Sequence, residues 1–427
     1  MKKNSDGGTI PSDYFKPSGT LSITENGLYD VKSYASASVN VAGGGGISVD
    51  DWATDSLTGS IYLTASNIRS YAFVHQDISG VNAPGVLDCG NCAFQSCFNL
   101  TTASFPAAIT IGSSAFQYCS RLTTASFPVA TFIGYSAFQN CSSLTTVDFS
   151  AVSFIGANAF RGCSSLTTAN FPAAMSIDYS AFQNCLSLTT VSFPAATSIG
   201  GYAFQGIDKL TTIDFPSVTS IGVYAFQYCT SLMTANFPAA ITIGNYAFAS
   251  CYSLTTVSFP SATSIGSSAF TNCPSLATAN FPVATSIGGS AFQSCLSLTT
   301  VSFPAATSIG SYALANCSSL ATVDFPVATS IGNYAFQGCS NLTTASFSAT
   351  TYFGNQVFRG CRMLTELRLD SVKSVPSLGT SVFFSTPIGG YSVSAGQYGS
   401  VFVPASLYQS FLTATNWSSI SSRIVSV

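Results

Sequence analysis

Cysteine is the reactive side chain that recurs most regularly in this chain of 427 residues. Twelve of its 14 cysteines recur at intervals of 22 residues, and at one further position of this series Ile207 replaces the cysteine. They are Cys97, Cys119, Cys141, Cys163, Cys185, Cys229, Cys251, Cys273, Cys295, Cys317, Cys339 and Cys361. A position that accepts isoleucine is a small buried apolar site, which suits free cysteine. Parallel side chains about 4.8 Å apart miss the Cβ spacing of about 3.8 Å that a disulfide prefers. We therefore expect a column of buried free thiols.

The two remaining cysteines form a Cys-X-X-Cys pair, Cys89 and Cys92. This spacing is typical of zinc sites and of redox centres. Cys89 falls at a position that is isoleucine in other repeats, Cys92 at a position that is often serine, and no further ligand is near them in sequence. We expect no metal, no cofactor and no redox centre here.

Paired titratable groups, which acid-base catalysis needs, are scarce. Asp148 and Asp214 share a repeat position but lie three repeats apart, about 14 Å at 4.8 Å per strand. Even an inverting carboxylate pair spans less than about 10 Å. The single histidine is His75, and Asp208 with Lys209 is best explained as a solvated local pair. The sequence predicts no catalytic residues and no enzyme.

Composition excludes other classes of protein. Charged residues make up 7% of the chain and the net charge is -3, so a basic nucleic-acid binder is excluded. Hydrophobic residues make up 47% of the chain, yet it contains no run of about 18 apolar residues, the length needed to span a membrane. The first residues, MKKNSDGGTIPSDYF, contain no apolar segment, so we expect no conventional signal peptide. The apolar residues must instead be buried in a periodic pattern.

The period is 22 residues and is set by leucine. It includes Leu100, Leu122, Leu144, Leu166, Leu188, Leu210, Leu232, Leu254, Leu276, Leu298, Leu320, Leu342 and Leu364. Phenylalanine follows each leucine in two further columns, and an isoleucine column is usually followed by glycine, as at Gly112 and Gly134. We expect the chain to turn with φ > 0 at these glycines. Coils begin near residue 57 and end near residue 376, within a solenoid of about 14 coils over 47–376.

Each repeat predicts a short strand and a tight return. Residues 188–193 alternate apolar and polar side chains, which indicates a half-buried strand, and Pro194 ends it. Segments such as SAFQNC are too short for more than about one turn of α- or 3₁₀-helix. Stacked coils would bury matching columns against each other. The predicted fold class is a repeat solenoid with a parallel β-sheet on one face and short turns or 3₁₀ segments on the other.

The repeat motif LxxVxFPxATSIGxxAFxxCxx resembles the BspA-like leucine-rich repeat over about residues 57–376. This resemblance implies a leucine-rich-repeat solenoid used for adhesion and for protein or glycan recognition, without a shared catalytic activity. Ser150 and Ser348 at the proline position, Asp178 at the glycine position and Ile207 at the cysteine position are point departures that keep the period.

The N-terminal residues 1–46 differ from the repeats. SGTLSITENGLYDVKSYASASVNVA alternates around Asn26-Gly27, a hairpin signal, and the glycines 43–46 form a flexible joint. We predict a small β module on a Gly-rich hinge. The stretch LSITENGLYDVKSYASASVNV resembles a module of tail and other structural proteins of phages and prophages of gut bacteria.

The C-terminal residues 377–427 are predicted to cap the solenoid. A short helix is expected from Ser406, with Leu407, Phe411 and Leu412 on one side. Trp52 is a candidate to help close the other end.

Candidate binding residues lie at the outward strand positions, two and four residues after each leucine. They are Thr146, Asp148, Thr168, Asn170, Thr190, Ser192, Thr212, Asp214, Thr234 and Asn236. Threonine also has high β-propensity, and cross-strand threonine pairs stabilise a sheet, so a purely structural role is an alternative. Ice binding by a threonine ladder is a third possibility, but the Asp and Asn interruptions and the expected curvature disfavour it.

A tyrosine column offers possible aromatic contacts at Tyr202, Tyr224 and Tyr246. Exposed tyrosines suit sugar or protein contacts. Packing of one ring on the next also explains the column and is the favoured interpretation.

The leading hypothesis is a non-enzymatic phage or prophage protein, tail-associated or displayed on the virion, that binds a host-cell surface glycan or protein. Other virion or tail proteins would bind its N-terminal module, and a homo-oligomer is expected only by analogy with fibrous tail proteins. Neither nucleic acid nor membrane insertion is expected. The expected location is the virion, the cell surface or the extracellular space. A bacterial cell-surface adhesin and a purely architectural spacer are the alternatives.

Overall fold

Each repeat contributes two short strands, which pair in parallel with their equivalents in adjacent repeats. Pairing of the first strand is interrupted between Thr146–Asp148 and Thr168–Asn170 and between Thr300–Ser302 and Thr322–Phe325. The structure is a computed structural model that describes residues 21–23, 39–41, 59–63, 66–391 and 398–427. The described residues belong to two compact units, Met1–Leu210 and Thr211–Val427. The strand at the start of each repeat belongs to what we call the threonine ladder, and the two-residue strand that follows belongs to the isoleucine ladder.

In unit 1 both ladders are built from consecutive repeats. Its threonine ladder comprises Leu21–Ile23, Val39–Val41, Gly59–Leu63, Ile78–Asn82, Thr102–Ser104, Thr124–Ser126, Thr146–Asp148, Thr168–Asn170 and Thr190–Ser192. Its isoleucine ladder comprises Asn67–Ile68, Asp88–Cys89, Thr110–Ile111, Phe132–Ile133, Phe154–Ile155, Ser176–Ile177 and Ser198–Ile199. The pairing keeps equivalent residues adjacent, so that Ile133 lies between Ile111 and Ile155.

Unit 2 repeats this arrangement. Its threonine ladder comprises Thr212–Asp214, Thr234–Asn236, Thr256–Ser258, Thr278–Asn280, Thr300–Ser302, Thr322–Phe325, Thr344–Phe347, Glu366–Arg368, Ser400–Val403 and Ile424–Ser426. Its isoleucine ladder comprises Ser220–Ile221, Thr242–Ile243, Ser264–Ile265, Ser286–Ile287, Ser308–Ile309, Ser330–Ile331, Tyr352–Phe353 and Ser377–Leu378. A parallel solenoid with leucine-rich repeats, as predicted from the sequence, is confirmed.

The core consists of stacked columns of identical side chains. Phe116 lies 5.3 Å from Phe138 with the rings nearly parallel (3°), and meets Phe127 of the other phenylalanine column at 5.7 Å and 69°. Both geometries are favoured by the ring quadrupole. Leucine, isoleucine, alanine and cysteine columns are buried beside the rings. One coil alone could bury little of this surface, so stability comes from stacking.

The returns between strands are turns that bond to the next coil. Cys141 N donates to Phe138 O within the turn at 3.1 Å, and Phe138 N donates to Ala159 O of the next coil at 2.7 Å. These bonds satisfy backbone groups that the two-residue strands leave over. The expectation of short turns on this side of the coil is confirmed.

The expected positive φ at the glycine column is wrong. The left-handed residues lie two positions later, at Ser114 and Ser136, and not at Gly112 or Gly134. Glycine is needed because the coils approach closely. A Cβ on Gly112 would lie 2.5 Å from Gly90 C, and one on Gly134 would lie 2.5 Å from Ser113 N. The column is therefore a backbone contact between coils.

The N-terminal strands extend the threonine ladder of unit 1. Leu21–Ile23 pairs in parallel with Val39–Val41, which pairs in parallel with Gly59–Leu63. Asn26-Gly27, the glycines 43–46 and Trp52 lie outside the described residues. The hairpin and the hinge therefore stay predictions.

At the C-terminus both ladders continue past residue 376, where the sequence pattern was expected to end. Ser377–Leu378 pairs with Tyr352–Phe353, and Ser400–Val403 pairs with Glu366–Arg368. A turn of 3₁₀-helix (Ala405–Leu407), an α-helix (Tyr408–Thr413) and a second 3₁₀ segment (Ser418–Arg423) follow.

The terminal helical segment closes the end of the core. Phe411 is buried, Leu407 and Leu412 are half-buried, and the Trp417 ring lies 5.0 Å from the Phe411 ring. The fully buried Trp417 also contacts Phe353 at 6.4 Å. The short helix predicted near Ser406 is thus present, and Trp417 packs between it and the last repeats.

The cysteine column is buried, as the sequence predicts, and adds hydrogen bonds. The thiol of Cys119 donates to Phe94 O of the preceding coil at 3.0 Å, and Cys141 donates to Phe116 O at 3.0 Å. The same bond recurs along the column, including at Cys273. Ile207 is equally buried but lacks a donor. The thiol therefore gives each coil a polar contact with its predecessor as well as filling space.

Burial sets the chemistry of these thiols. Desolvation raises the pKa of Cys163 and Cys251 well above the ordinary thiol value and raises that of Cys273 to about 12. Since the thiolate is the reactive species, buried cysteines are inert in the folded chain. Cys92 is half-buried, unlike the other thirteen.

The glycine contact predicts a contrast between two neighbouring residues. A Cβ on Gly288 would lie 2.6 Å from Gly266 C and Ser267 N, whereas one on Gly289 would lie 3.3 Å from Ser311 O. Gly288→Ala should lower the free energy of unfolding by about 1–3 kcal/mol, and Gly289→Ala should change it by less than about 0.5 kcal/mol. Urea unfolding followed by circular dichroism measures both, and equal midpoints would contradict the contact.

Thiol reactivity should follow burial. In the folded protein, Ellman's reagent should react quickly with Cys92 alone, and Cys92→Ser should remove this reaction. After denaturation without reductant, all 14 cysteines should react. A count near zero after denaturation would mean that the cysteines are paired.

Raised thiol pKa values also predict a loss of stability at alkaline pH. Above about pH 9 the unfolded chain loses thiol protons that the folded chain keeps, so the free energy of unfolding falls until the pH reaches the folded pKa, about 12 for Cys273. Each such thiol contributes a slope of about 1.4 kcal/mol per pH unit.

Serine controls isolate this thiol effect from tyrosine and lysine titration. Cys251→Ser and Cys273→Ser keep a hydroxyl donor. Together they should reduce the slope of the free energy of unfolding against pH, between pH 9 and 11, by the equivalent of about two protons. An unchanged slope in urea titrations over this range would contradict the assignment.

Candidate binding faces

The threonine ladder presents a polar outer surface in each unit. All ten outward candidates are exposed. In unit 1, Thr168 pairs with Thr190 and Asn170 with Ser192. In unit 2, Thr212 pairs with Thr234, and Asn236 Nδ2 donates to Asp214 Oδ1 at 2.8 Å. The structure therefore brings candidates of neighbouring repeats together within each unit, except for Thr146 and Asp148, whose strand pairs with Thr124–Ser126.

Two other hydroxyl columns differ from this outward column. Directly after the leucine, Thr123 Oγ1 donates to Thr101 O at 2.9 Å. Directly before the isoleucine-ladder strands, Thr285 Oγ1 donates to Thr263 O at 3.3 Å. Both columns thus bind the preceding coil. The outward threonine hydroxyls, such as those of Thr146 and Thr168, form no hydrogen bond within the part of the chain that the structure describes.

The rings of the tyrosine column are half-buried, and those of the pair in unit 2 are stacked. In unit 2, Tyr224 and Tyr246 lie 4.8 Å apart at 9°. In unit 1, the Tyr202 ring lies 5.3 Å from Tyr179 at 59°. All three column members have positive φ, which is unfavourable for a bulky residue. Ring stacking offsets part of this cost, and a contact role for these rings stays a prediction.

The titratable groups do not assemble into a catalytic arrangement in the described residues. Asp148 pairs with Ser126 on the ladder of unit 1, whereas Asp214 belongs to unit 2. His75 contacts Phe98, with ring centroids 6.4 Å apart. No group of three or more His, Cys, Asp or Glu side chains suited to a metal ion occurs among the described residues, and Cys89 is fully buried.

One aromatic feature escaped the sequence analysis. Phe132 and Phe154 occupy the outward position of the isoleucine ladder, where Thr110, Ser176 and Ser198 stand in neighbouring coils of unit 1. The sequence signal is the pair TFIG and SFIG in place of the usual TSIG. By residue type alone this pair does not differ from the larger phenylalanine columns of the core.

None of the helices in the described ranges has the length and apolar character needed to cross a bilayer. This finding agrees with the interrupted hydrophobic pattern of the sequence.

Comparisons with known structures return leucine-rich-repeat proteins. A leucine-rich repeat protein from Bacteroides ovatus is 21% identical, with 75% of this chain and 88% of that chain covered and a TM-score of 0.41. A leucine rich cell surface protein from Faecalibacterium prausnitzii is 22% identical, with coverages of 88% and 96% and a TM-score of 0.36. No curated protein matches the chain.

The family comparison is more extensive. The model described as "BspA type Leucine rich repeat region (6 copies)" matches residues 66–189, 175–298 and 285–396 in overlapping segments. These matches cover more than half of the sequence and include the leucine, isoleucine, phenylalanine and cysteine columns described above. The chain therefore belongs to the BspA-type leucine-rich-repeat family.

Proposed function

We propose that this protein is a non-catalytic binding protein whose threonine-ladder face contacts a cell surface. The observation that carries the proposal is the outward threonine column. Its hydroxyls are exposed and have no hydrogen-bond partner among the described residues, whereas the other two hydroxyl columns bind neighbouring coils. Stability of the sheet explains the choice of threonine, but these hydroxyls are also available to a ligand.

The chemistry of the face suits a polar ligand of low charge. Hydroxyl, amide and a few carboxylate groups recur at the strand spacing of about 4.8 Å, with Asp148 and Asn170 in unit 1 and Asp214 and Asn236 in unit 2. Such groups donate and accept hydrogen bonds without strong electrostatic attraction. A host-cell surface glycan or protein is the proposed partner, and family membership supports a surface or extracellular location.

We further propose that a phage or prophage particle carries the protein. The support is the resemblance of the segment from Leu21 to Val41 to a module of phage tail and structural proteins. This segment would join other virion proteins, while the solenoid contacts the host cell. A bacterial surface adhesin would use the same solenoid face, and neighbouring tail or secretion genes would separate the two carriers.

Charge substitutions on the two ladders provide the test. Thr190→Arg, Thr234→Arg and Thr278→Arg place large charged side chains on exposed positions in alternate repeats of the threonine ladder. Labelled wild-type protein should bind gut-bacterial cells saturably, and this triple variant should bind at least tenfold more weakly because bulky cations block the flat face. Periodate treatment of the cells shows whether the receptor is a glycan.

The control carries the same charges in the same coils. Ser198→Arg, Thr242→Arg and Ser286→Arg lie on the isoleucine ladder and should leave cell binding within about twofold of wild type. Equal binding by both variants would remove the threonine ladder as the contact face. If the wild-type protein bound no cell, the remaining explanation would be that it is a purely architectural spacer.

A further inference from the structure

In unit 1, two aromatic residues interrupt the otherwise polar outward column of the isoleucine ladder. The outward residue of each two-residue strand is Thr110, Ser176 or Ser198 in neighbouring coils, but it is phenylalanine at 132 and 154. Phe132 is 38% exposed, so its ring contributes little to the core. Exposed apolar clusters within a polar surface mark interaction sites more often than scattered apolar residues do.

These two parallel rings and a perpendicular tyrosine ring form a cluster. Phe132 and Phe154 stack at 4.8 Å and 6°, and the Tyr135 ring stands perpendicular to Phe154 at 6.3 Å and 89°. Tyr135 is 53% exposed. We name Phe132, Tyr135 and Phe154 the aromatic platform. It offers ring surface in two perpendicular orientations, and the smaller side chains of Thr110 and Ser176 occupy the paired positions on either side of the stacked pair.

The coil after Phe154 supplies an apolar margin and a carboxylate. Met175 is 62% exposed, and its neighbour Ser176 pairs with Phe154. Asp178 stands where other coils have glycine. Its Oδ1 accepts a hydrogen bond from Tyr179 N at 2.6 Å, and its other carboxylate oxygen has no hydrogen bond to the described residues. This oxygen is available to a hydroxyl donor.

Asp178 also alters the contact between coils. Gly156 N donates to Ile133 O at 2.9 Å and Gly200 N donates to Ile177 O at 2.7 Å. The equivalent bond from Asp178 to Ile155 does not form in the described part of unit 1. A side chain at this column meets the backbone of the preceding coil, because a Cβ on Gly156 would lie 2.7 Å from Tyr135 N. The departure from glycine therefore has a structural cost, and it lies two residues after Ser176, which pairs with Phe154 of the platform.

We propose that the aromatic platform, with Asp178 at its margin, binds a neutral carbohydrate. The C–H face of a sugar ring can pack on an aromatic ring, while its hydroxyl groups donate to a carboxylate. This site lies on the isoleucine ladder, so it goes beyond the threonine-ladder function proposed above. The two faces of a coil are formed by different residues. An experiment can therefore disprove binding at one face without disproving binding at the other.

Area and charge favour a sugar over a protein. Phenylalanine and tyrosine side chains bury about 150–250 Å² each, so the partly exposed platform and Met175 offer a few hundred Å². A stable protein interface needs about 800 Å² on each partner. Asp178 is the one charged side chain in the segments that contain the platform and its neighbouring strands. These segments are residues 109–113, 131–135, 153–157 and 175–179. An acidic sugar would therefore meet repulsion and no cation.

Calorimetric titration of the full chain tests the proposal. Maltohexaose, cellohexaose and mannohexaose are the neutral probes, and heparin is the acidic probe. At least one neutral probe should bind, and Phe132→Ser with Phe154→Ser should weaken it at least tenfold. Serine occupies this column in neighbouring coils, so the variant should fold, which circular dichroism checks. Asp178→Asn should weaken the same probe several-fold, because a neutral amide is a poorer acceptor than a carboxylate.

Tyr352→Ser is the matched control. Tyr352 occupies the same column in unit 2 and is 43% exposed, so its loss removes an exposed ring but not the platform. Affinity should stay within about twofold of wild type. The proposal is overturned if no neutral probe binds at millimolar concentration, if heparin alone binds, or if the double phenylalanine variant binds as wild type does.

Two further readouts separate this site from other functions. The triple arginine variant of the threonine ladder should keep its affinity for the neutral oligosaccharide, even where its cell binding falls. Loss of self-association in the double phenylalanine variant by analytical ultracentrifugation, with unchanged sugar binding, would overturn the proposal in favour of a contact between copies of the chain.

Discussion

The fold depends on the close approach of one coil's backbone to the next at the glycine column. With no Cβ at Gly134, its N–H reaches Ile111 O at 2.8 Å, and a methyl group there would lie 2.5 Å from Ser113 N. This contact holds the repeats at strand spacing. The phenylalanine rings can then stack, and each column cysteine can reach the carbonyl of the preceding coil. Packing, hydrogen bonding and thiol burial all share this one spacing between coils.

Strict periodicity made the fold predictable from the sequence. A column that is leucine or phenylalanine in repeat after repeat must be buried, and its spacing fixes which side chains touch. What periodicity could not supply was the backbone conformation within a repeat. Glycine suggests a positive φ, but Ser114 and Ser136 adopt it, while glycine serves a contact with the neighbouring coil. Such a contact depends on three-dimensional spacing, which a single repeat does not reveal.

The candidate surfaces were predictable to a lesser degree. Outward threonines follow directly from strand alternation, and the structure shows them exposed. That they form no hydrogen bond within the described residues could not be read from the sequence, since Thr101 and Thr102 look alike there but differ in their partners. The aromatic platform was missed because phenylalanine at 132 and 154 resembles the core columns in type. Its position beside the isoleucine, and not the residue type, distinguishes it.

The C-terminal cap has a consequence for polymerisation. A parallel, in-register stack is also the geometry of amyloid, and an open end with unpaired carbonyls can template another chain. Asn416 Nδ2 donates to Leu378 O at 2.6 Å, and Trp417 Nε1 donates to Pro376 O at 2.7 Å, at the last strand of the isoleucine ladder. These side chains occupy acceptors that an incoming strand would need. Two polar contacts thus limit end-to-end growth by a chain in which 47% of the residues are hydrophobic.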